Sequence, residues 1–98
     1  MQDIHILGAA RTPMGGLQGA FAGVTAADLG GAAIRAALAR SGRAAEQVDA
    51  LLMGCVLPAG QGQAPARQAG FAAGLPQGVP ATTLNKMCGS GMQAVMMA

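Results

Sequence analysis

Residues 85–91, with the sequence Asn-Lys-Met-Cys-Gly-Ser-Gly, most strongly constrain how this chain can fold. A short β-favouring run precedes them at residues 81–84, and an apolar helical run follows at residues 92–98. Cys88 lies between the two runs, and the glycines at 89 and 91 allow the backbone to turn sharply and to approach a ligand closely. The sequence therefore predicts a strand, a tight turn that carries a thiol, and a helix.

The predicted turn places the Cys88 thiol at the N-terminus of a helix. Unpaired backbone N–H groups and the positive end of the helix dipole favour an anion at such a position. Thiolate is the nucleophilic form of cysteine, and the same N–H groups can stabilise an oxyanion that forms on an attacked carbonyl. Cys88 is therefore predicted to be a nucleophile.

Three other interpretations of this segment can be weighed, of which two stay open and one is excluded. Free cysteine is often simply a small buried residue, so Cys88 can be structural. Residues 89–94 fit the loose dinucleotide pattern G-x-G-x-x-A, although that pattern belongs after the first strand of its unit. A serine-hydrolase elbow centred on Ser90 is excluded, because the two glycines it requires are replaced by Cys88 and Met92.

The rest of the chain alternates between predicted strands and helices. Apolar runs predict buried strands at residues 3–8 and 50–57, and the second run contains Cys55, which is expected to be part of the strand core. Thr25 and Asp28 mark the start of a helix that ends before Gly42, and Pro65 begins a second helix that stops at Gly74. With the strand at residues 81–84, this order predicts an α/β fold with a parallel sheet.

Composition excludes several classes of function. The formal net charge is +2 and only two residues are aromatic, so neither the basic stripe nor the stacking platform of a nucleic-acid binder is present. No apolar run approaches the length of a membrane span, and the N-terminus lacks the pattern of a signal peptide. Two cysteines and one histidine without metal-ligand spacing predict a cytoplasmic protein with no metal site.

Three motifs together resemble the thiolase (acetyl-CoA acetyltransferase) family. The segment around Cys88 resembles the family's nucleophile segment, and residues 9–15, Ala-Ala-Arg-Thr-Pro-Met-Gly, resemble the segment after its first strand. Residues 54–69 resemble the family run G-x-V-L-x-A-G-x-G-Q-x-P-A-R-Q-A. The motifs occur in family order and at family spacing, and the resemblance covers essentially all 98 residues.

The resemblance implies a layered α-β-α-β-α architecture built from two similar halves. Residues 1–98 would be a partial N-terminal thiolase domain, containing the first strands and helices of the N-terminal half and ending in the helix after the nucleophile. The resemblance also implies that residues 62–69 lie near a dimer interface. From the residues alone, Arg11 lies in the loop after the first predicted strand, where it is expected to bond loop carbonyls, with a functional cation as the alternative. A homodimer or homotetramer is expected at full length.

The resemblance further implies acyl transfer from acyl-CoA. Cys88 would carry the acyl group as a thioester, with its backbone N–H in an oxyanion hole, for Claisen condensation with acetyl-CoA or for thiolysis of a 3-ketoacyl-CoA in reverse. Coenzyme A thioesters are then substrates, and no cofactor is expected. The family's second cysteine, in C-x-G, and its histidine, in G-H-P, are not in this sequence. A ketoacyl synthase of the same fold and a non-catalytic fragment remain alternatives.

Overall fold

The computed structural model describes all 98 residues. Three α-helices, two strands and one short 3-10 helix follow one another along the chain: α1 (Ala26–Ser41), the 3-10 helix (Ala45–Gln47), β1 (Leu51–Gly54), α2 (Pro65–Ala72), β2 (Ala81–Leu84) and α3 (Ser90–Met97).

The two strands form a parallel pair, as the sequence predicts. Leu51 is in register with Ala81, and Gly54 is in register with Leu84. Because the strands are parallel, the chain must cross over between them, and α2 lies in that connection. Successive side chains of a strand point to opposite faces of the sheet. Leu51 and Met53 therefore face α2 and α1, whereas Gly54 faces the start of α3. The predicted α/β class is confirmed.

Helix α1 begins and ends where its capping residues predict. The Thr25 hydroxyl accepts a hydrogen bond from the Asp28 backbone N–H at 3.1 Å and donates one to the Asp28 carboxylate at 2.8 Å. At the other end Gly42 has a φ of 71°, the left-handed conformation that closes many helices. The Thr25 hydroxyl satisfies one of the N–H groups that a helix start leaves without an intrahelical partner.

Helices α1 and α2 pack closely because small residues meet between them. A Cβ at Gly31 would lie 2.6 Å from the Ala72 Cβ, and one at Gly30 would lie 3.1 Å from the Ala69 Cβ. The Arg35 guanidinium also donates a hydrogen bond to the Ala72 carbonyl. The glycines therefore set the distance between the two helices.

Polar contacts attach α2 to the strand that leads to Cys88. The Thr83 hydroxyl accepts a hydrogen bond from the Ala66 N–H at 3.0 Å, in the first turn of α2. The Arg67 guanidinium donates to the carbonyls of Gln77, at 3.1 Å, and Val79, at 2.7 Å. These bonds hold the segment that enters β2, and so they fix the position at which the chain leaves β2 toward Cys88.

The predicted strand at residues 3–8 is wrong for this structure. These residues form no ladder with β1 or β2, and Ile4 and Ile6 are 86% and 83% exposed. A strand requires a hydrogen-bonded neighbour as well as an apolar run, and the segment has none here. It ends instead beside α1, where the Arg40 guanidinium donates to the Ala9 carbonyl at 2.6 Å.

The strand predicted at residues 50–57 is also shorter than expected. Regular β1 ends at Gly54, although the Cys55 N–H still donates to the Leu84 carbonyl at 2.8 Å. After Leu84, the last residue of β2, the chain enters the turn before α3. The ladder therefore stops where its partner strand stops.

The buried core of the chain is small. Only 8 of the 98 residues are buried, and none of the larger side chains is fully enclosed. The five buried hydrophobic residues are mostly small: Ala66, Ala69, Leu75, Val79 and Ala94. Because hydrophobic stabilisation scales with the apolar area removed from water, this core contributes little.

We expect the isolated 98-residue chain to lack a cooperative thermal transition. Its small core cannot offset the conformational entropy of ordering the chain, and the free edges of the two-stranded sheet favour association. Differential scanning calorimetry together with analytical ultracentrifugation tests this expectation. A sharp transition from a monodisperse 98-residue monomer would contradict it.

Candidate active site around Cys88

The turn that carries Cys88 begins directly after β2. The Asn85 side chain accepts a hydrogen bond from the Met87 N–H at 2.9 Å through its Oδ1 atom. Its Nδ2 atom donates to the Val56 carbonyl at 3.2 Å, just beyond the end of β1. Asparagine is suited to this position because its short side chain can bond both to its own turn and to a neighbouring segment. Asn85 therefore ties the turn to the end of the sheet.

The Ser90 hydroxyl closes the same turn from the other side. It donates to the Met87 carbonyl at 2.6 Å and accepts from the Lys86 N–H at 2.8 Å. Ser90 is only 4% exposed, so water has little access to compete for these bonds. The hydroxyl therefore satisfies one donor and one acceptor of the turn where α3 starts.

The sharp turn is made at Met87 and not at the glycines. Met87 has a φ of 48°, in the left-handed region that costs an L-residue roughly 1–2 kcal/mol. Gly89 has a φ of −90° and a ψ of 7°, which other residues can also adopt. The expectation that the glycines at 89 and 91 supply the turn by their conformational freedom is therefore wrong. Within this chain a Cβ at Gly91 would meet nothing within 4 Å.

A glycine on β1 is what allows α3 to begin here. A Cβ at Gly54 would lie 2.7 Å from the Ser90 Cβ and carbonyl carbon, and 2.8 Å from the Gly91 nitrogen. Real Cβ atoms essentially never approach other atoms this closely. Any other residue at 54 would displace the start of α3 and, with it, the Ser90 hydroxyl.

Cys88 lies on the outside of this turn as an exposed free thiol. It precedes the first residue of α3 by two positions, so it stands just before the helix and not within its first turn. Its backbone N–H donates no hydrogen bond within the chain, whereas the N–H groups of Gly89 and Ser90 donate to the Lys86 and Met87 carbonyls. The turn thus presents a thiol and an unpaired N–H on one residue.

Cys55, the other cysteine, lies in a different environment. It is half-buried, and its Sγ atom accepts a hydrogen bond from the Gln61 Nε2 atom at 3.6 Å. It lines a cavity of about 60 Å³ with residues of α1 and α2, among them Ala26 and Ala69. The prediction that Cys55 is part of the strand core is therefore wrong, because Cys55 follows the last residue of β1 and is only half-buried. Only its backbone N–H continues the pairing, by its bond to the Leu84 carbonyl.

The other polar residues of the recognised motifs serve the structure of the chain. The Arg11 guanidinium donates to the Thr12 carbonyl at 3.1 Å, which is the loop contact predicted for it. The Gln68 side chain donates to the Gln61 and Gln63 carbonyls at 2.7 and 2.8 Å.

No group of three or more potential metal ligands comes together among the 98 residues. No helix combines the length and the apolar character needed to cross a lipid bilayer.

The model of the thiolase N-terminal domain matches residues 4–98 of this chain. The chain belongs to the thiolase family. Curated relatives of this thiolase chain include an acetyl-CoA acetyltransferase from Pseudomonas aeruginosa, 56% identical over 95 residues, which cover 97% of the chain and 24% of the relative. An acetyl-CoA acetyltransferase from Cupriavidus necator is 54% identical over 98 residues, which cover 100% of the chain and 25% of the relative.

Solved structures agree with the family in fold. The Acat5 thiolase from Ascaris suum, crystallised in complex with coenzyme A, superposes with a TM-score of 0.95 at 35% identity, over 98% of this chain and 25% of that one. An acetyl-CoA acetyltransferase from Syntrophomonas wolfei superposes with a TM-score of 0.86 at 35% identity, over 94% of this chain and 23% of that one. The thiolase-like fold is therefore confirmed, and the chain spans about a quarter of the length of the relatives it matches.

The sequence predicts Cys88 as the nucleophile, which stays a prediction, but it does not reveal the residues that shape the turn around it. In the sequence Gly54 and Asn85 stand out only as parts of motifs, and Ser90 only as an excluded hydrolase nucleophile. Asn85 stands two residues before Met87, the spacing at which an asparagine side chain bonds the backbone of its own turn, so local turn chemistry could have identified it. The contact of Gly54 with α3 joins distant segments and leaves no local signal.

We expect iodoacetamide to alkylate Cys88 at least about tenfold faster than Cys55 near neutral pH, because reaction requires an accessible thiol. Cys88 is exposed and has no hydrogen-bond partner, whereas Cys55 is half-buried against Gln61. Mass-mapped labelling of a full-length protein that carries this chain measures both rates in one sample. Equal rates, or faster labelling of Cys55, would contradict the assignment of Cys88 as the accessible nucleophile.

Proposed function

We propose that this chain provides the acyl-accepting part of an acetyl-CoA acetyltransferase, with Cys88 as the nucleophile. The observation that carries the proposal is the exposed Cys88 thiol on the same turn as its own unpaired N–H. A thiolate can attack a thioester carbonyl, and a backbone N–H can bond to the oxygen that becomes negative in that attack. Relatives that carry the acetyl-CoA acetyltransferase name match the whole chain.

The proposed reaction proceeds in two half-reactions. The Cys88 thiolate forms a bond to the acyl carbon, the bond from that carbon to the coenzyme A sulfur breaks, and coenzyme A leaves as a thiolate that takes up a proton. In the second half-reaction the α-carbon of acetyl-CoA, after loss of a proton, attacks the acyl-enzyme and releases Cys88. The reverse direction is thiolysis of a 3-ketoacyl-CoA. Covalent catalysis of this kind divides one difficult transfer into two easier steps.

Coenzyme A thioesters are the proposed substrates. The support is that the Ascaris suum thiolase, which superposes on 98% of this chain, was crystallised with coenzyme A. No cofactor is assigned, because each proposed step is acyl or proton transfer. The proton that leaves the α-carbon requires a base, and the second cysteine that the family resemblance implies for that step, in a C-x-G motif, is not in this sequence. We therefore assign that role to groups outside residues 1–98.

We also propose a cellular setting for the protein. Both cysteines are free thiols, as in proteins of reducing compartments, which supports a cytoplasmic location. Among the relatives some are bacterial and several are mitochondrial, two of them from Xenopus laevis. Fatty acid metabolism is the proposed context, since acyl-CoA thioesters are the proposed substrates. A homodimer or homotetramer is proposed for the full-length protein, because the family resemblance places residues 62–69 near a dimer interface.

We expect Cys88→Ala to lower acetyl-CoA turnover of a full-length protein on the order of a thousandfold or more, because the substitution removes the nucleophile. Cys88→Ser should be nearly as inactive, since a serine hydroxyl needs an adjacent base and none is bonded there. Transfer of radiolabelled acetyl from acetyl-CoA to the protein, followed by peptide mapping, measures the first half-reaction directly.

The matched control is Cys55→Ala, which removes the second thiol of the same chain. It should take up label at close to the unsubstituted rate, because Cys55 is half-buried and lies outside the turn. Label on a residue other than Cys88, or turnover that survives Cys88→Ala, would contradict the proposal. A full-length protein that never takes up label would instead favour a non-catalytic role.

The isolated 98-residue chain should not condense two molecules of acetyl-CoA. The sequence contains no C-x-G or G-H-P motif, and therefore neither the second cysteine nor the histidine that the family resemblance implies for the carbanion step. Acetoacetyl-CoA formation, followed by its absorbance as the magnesium enolate, tests this expectation. Product formed by the purified chain above the buffer rate would show that the missing groups are not required.

A further inference from the structure

We propose that Asn85 and Ser90 are positioning residues for Cys88, which act by holding Met87 in its left-handed conformation. The inference rests on the proposed function, because it concerns how the nucleophile is presented. Neither side chain is bonded to Cys88 itself. Both act on the residue immediately before it, and through that residue they set the direction in which the Cys88 backbone leaves the turn.

Both peptide groups of Met87 are held by side chains. Its N–H donates to the Asn85 Oδ1 atom at 2.9 Å. Its carbonyl accepts from the Ser90 hydroxyl at 2.6 Å and from the Ser90 N–H at 3.0 Å. Rotation of Met87 toward a negative φ would turn one or both peptide planes and break these bonds.

Nothing else in the chain explains the conformation of Met87. Its side chain is 67% exposed, so packing contributes little to holding the residue in place. A left-handed φ in a residue with a Cβ persists only where the surroundings determine it strongly, and such residues cluster at functional sites. Here the surroundings that determine it are the two side-chain bonds, together with the backbone bond from the Ser90 N–H to the Met87 carbonyl.

The turn is also fixed relative to the sheet. The Asn85 Nδ2 atom bonds to the Val56 carbonyl after β1, and the start of α3 fits against Gly54 of the same strand. A nucleophile held this way keeps its place relative to a substrate bound elsewhere on the protein. Displacement of a catalytic group by about 1 Å can cost a hundredfold in rate.

Ser90→Ala in a full-length protein tests the inference. We expect acetyl transfer to Cys88 to slow by about tenfold to a hundredfold, with the half-saturating acetyl-CoA concentration unchanged, because the thiol is misplaced and the substrate site is intact. Alkylation of Cys88 by iodoacetamide should stay within about twofold, since this small reagent requires access but no particular orientation. A simple loss of stability would instead lower acetyl transfer while speeding the alkylation of the half-buried Cys55, because unfolding exposes that thiol.

The chain offers a matched control for this substitution. The Ser41 hydroxyl makes the same pair of bonds at the end of α1, donating to the Leu38 carbonyl at 2.6 Å and accepting from the Arg43 N–H at 3.1 Å. Ser41→Ala therefore removes an equivalent hydroxyl outside the turn. Its acetyl transfer rate should stay within about twofold of the unsubstituted protein, as for surface changes away from special features.

A second substitution at position 87 tests the conformation itself. Glycine adopts a positive φ as readily as a negative one, so Met87→Gly added to Ser90→Ala should recover part of the lost rate, because it removes the strain but leaves the turn free to fluctuate. Met87→Ala added to Ser90→Ala should recover none, because alanine disfavours the left-handed region as methionine does. If Ser90→Ala does not fold, Asn85→Ala takes its place with the same pair of additions, since Asn85 is exposed.

The results separate this inference from the proposed function. If the unsubstituted protein takes up no acetyl label on Cys88, the proposed function fails and the inference fails with it. If the unsubstituted protein is labelled but Ser90→Ala reacts as fast as Ser41→Ala, only the inference is overturned. It is equally overturned if Met87→Gly restores no more rate than Met87→Ala.

Discussion

The close contact between Gly54 on β1 and Ser90 at the start of α3 is the constraint on which the site depends. With no side chain at 54, α3 begins directly against the strand, and its first residue is buried. The buried Ser90 hydroxyl then lies within hydrogen-bond distance of Met87, 2.6 Å from its carbonyl. A larger residue at 54 would separate the helix from the sheet and would remove that hydroxyl from the turn, because backbone atoms cannot give way as a flexible side chain can.

The same use of small residues has a cost in the rest of the chain. Glycine and alanine bring α1, α2 and the strands close together, but each buries little apolar area. Stabilisation must then rely more on hydrogen bonds, such as those of Arg67 to the Gln77 and Val79 carbonyls and of the Ala66 N–H to Thr83. Such bonds contribute modestly on balance, since both partners bond to water when the chain unfolds. The chain thus combines well-defined local geometry with a small core.

Local signals in the sequence predicted the elements whose ends are determined locally. Thr25 and Gly42 marked α1, Pro65 marked α2, and residues 81–84 are the observed β2. The strand at residues 3–8 was predicted wrongly, because pairing depends on a neighbouring strand that an apolar run does not reveal. At the site, the role of Cys88 stays a prediction from its motif and its place before a helix, and the sequence assigned the turn wrongly to the glycines. The left-handed residue is Met87, and only the three-dimensional bonds of Asn85 and Ser90 show why.

The placement of the strained φ on methionine, beside two glycines, has a physical reason under the proposed function. A glycine at 87 would reach the left-handed region without strain, but it would reach several other regions as easily and would let the turn fluctuate. A residue with a Cβ has few accessible wells, so two side-chain bonds are enough to hold it in one of them. Neither Gly89 nor Gly91 has a positive φ, so the turn does not use their access to the left-handed region. Within this chain a Cβ at Gly91 would meet nothing within 4 Å, and one at Gly89 would lie 3.4 Å from the Lys86 carbonyl oxygen, so the constraint on the turn rests on Met87 and the two side chains that bond to it.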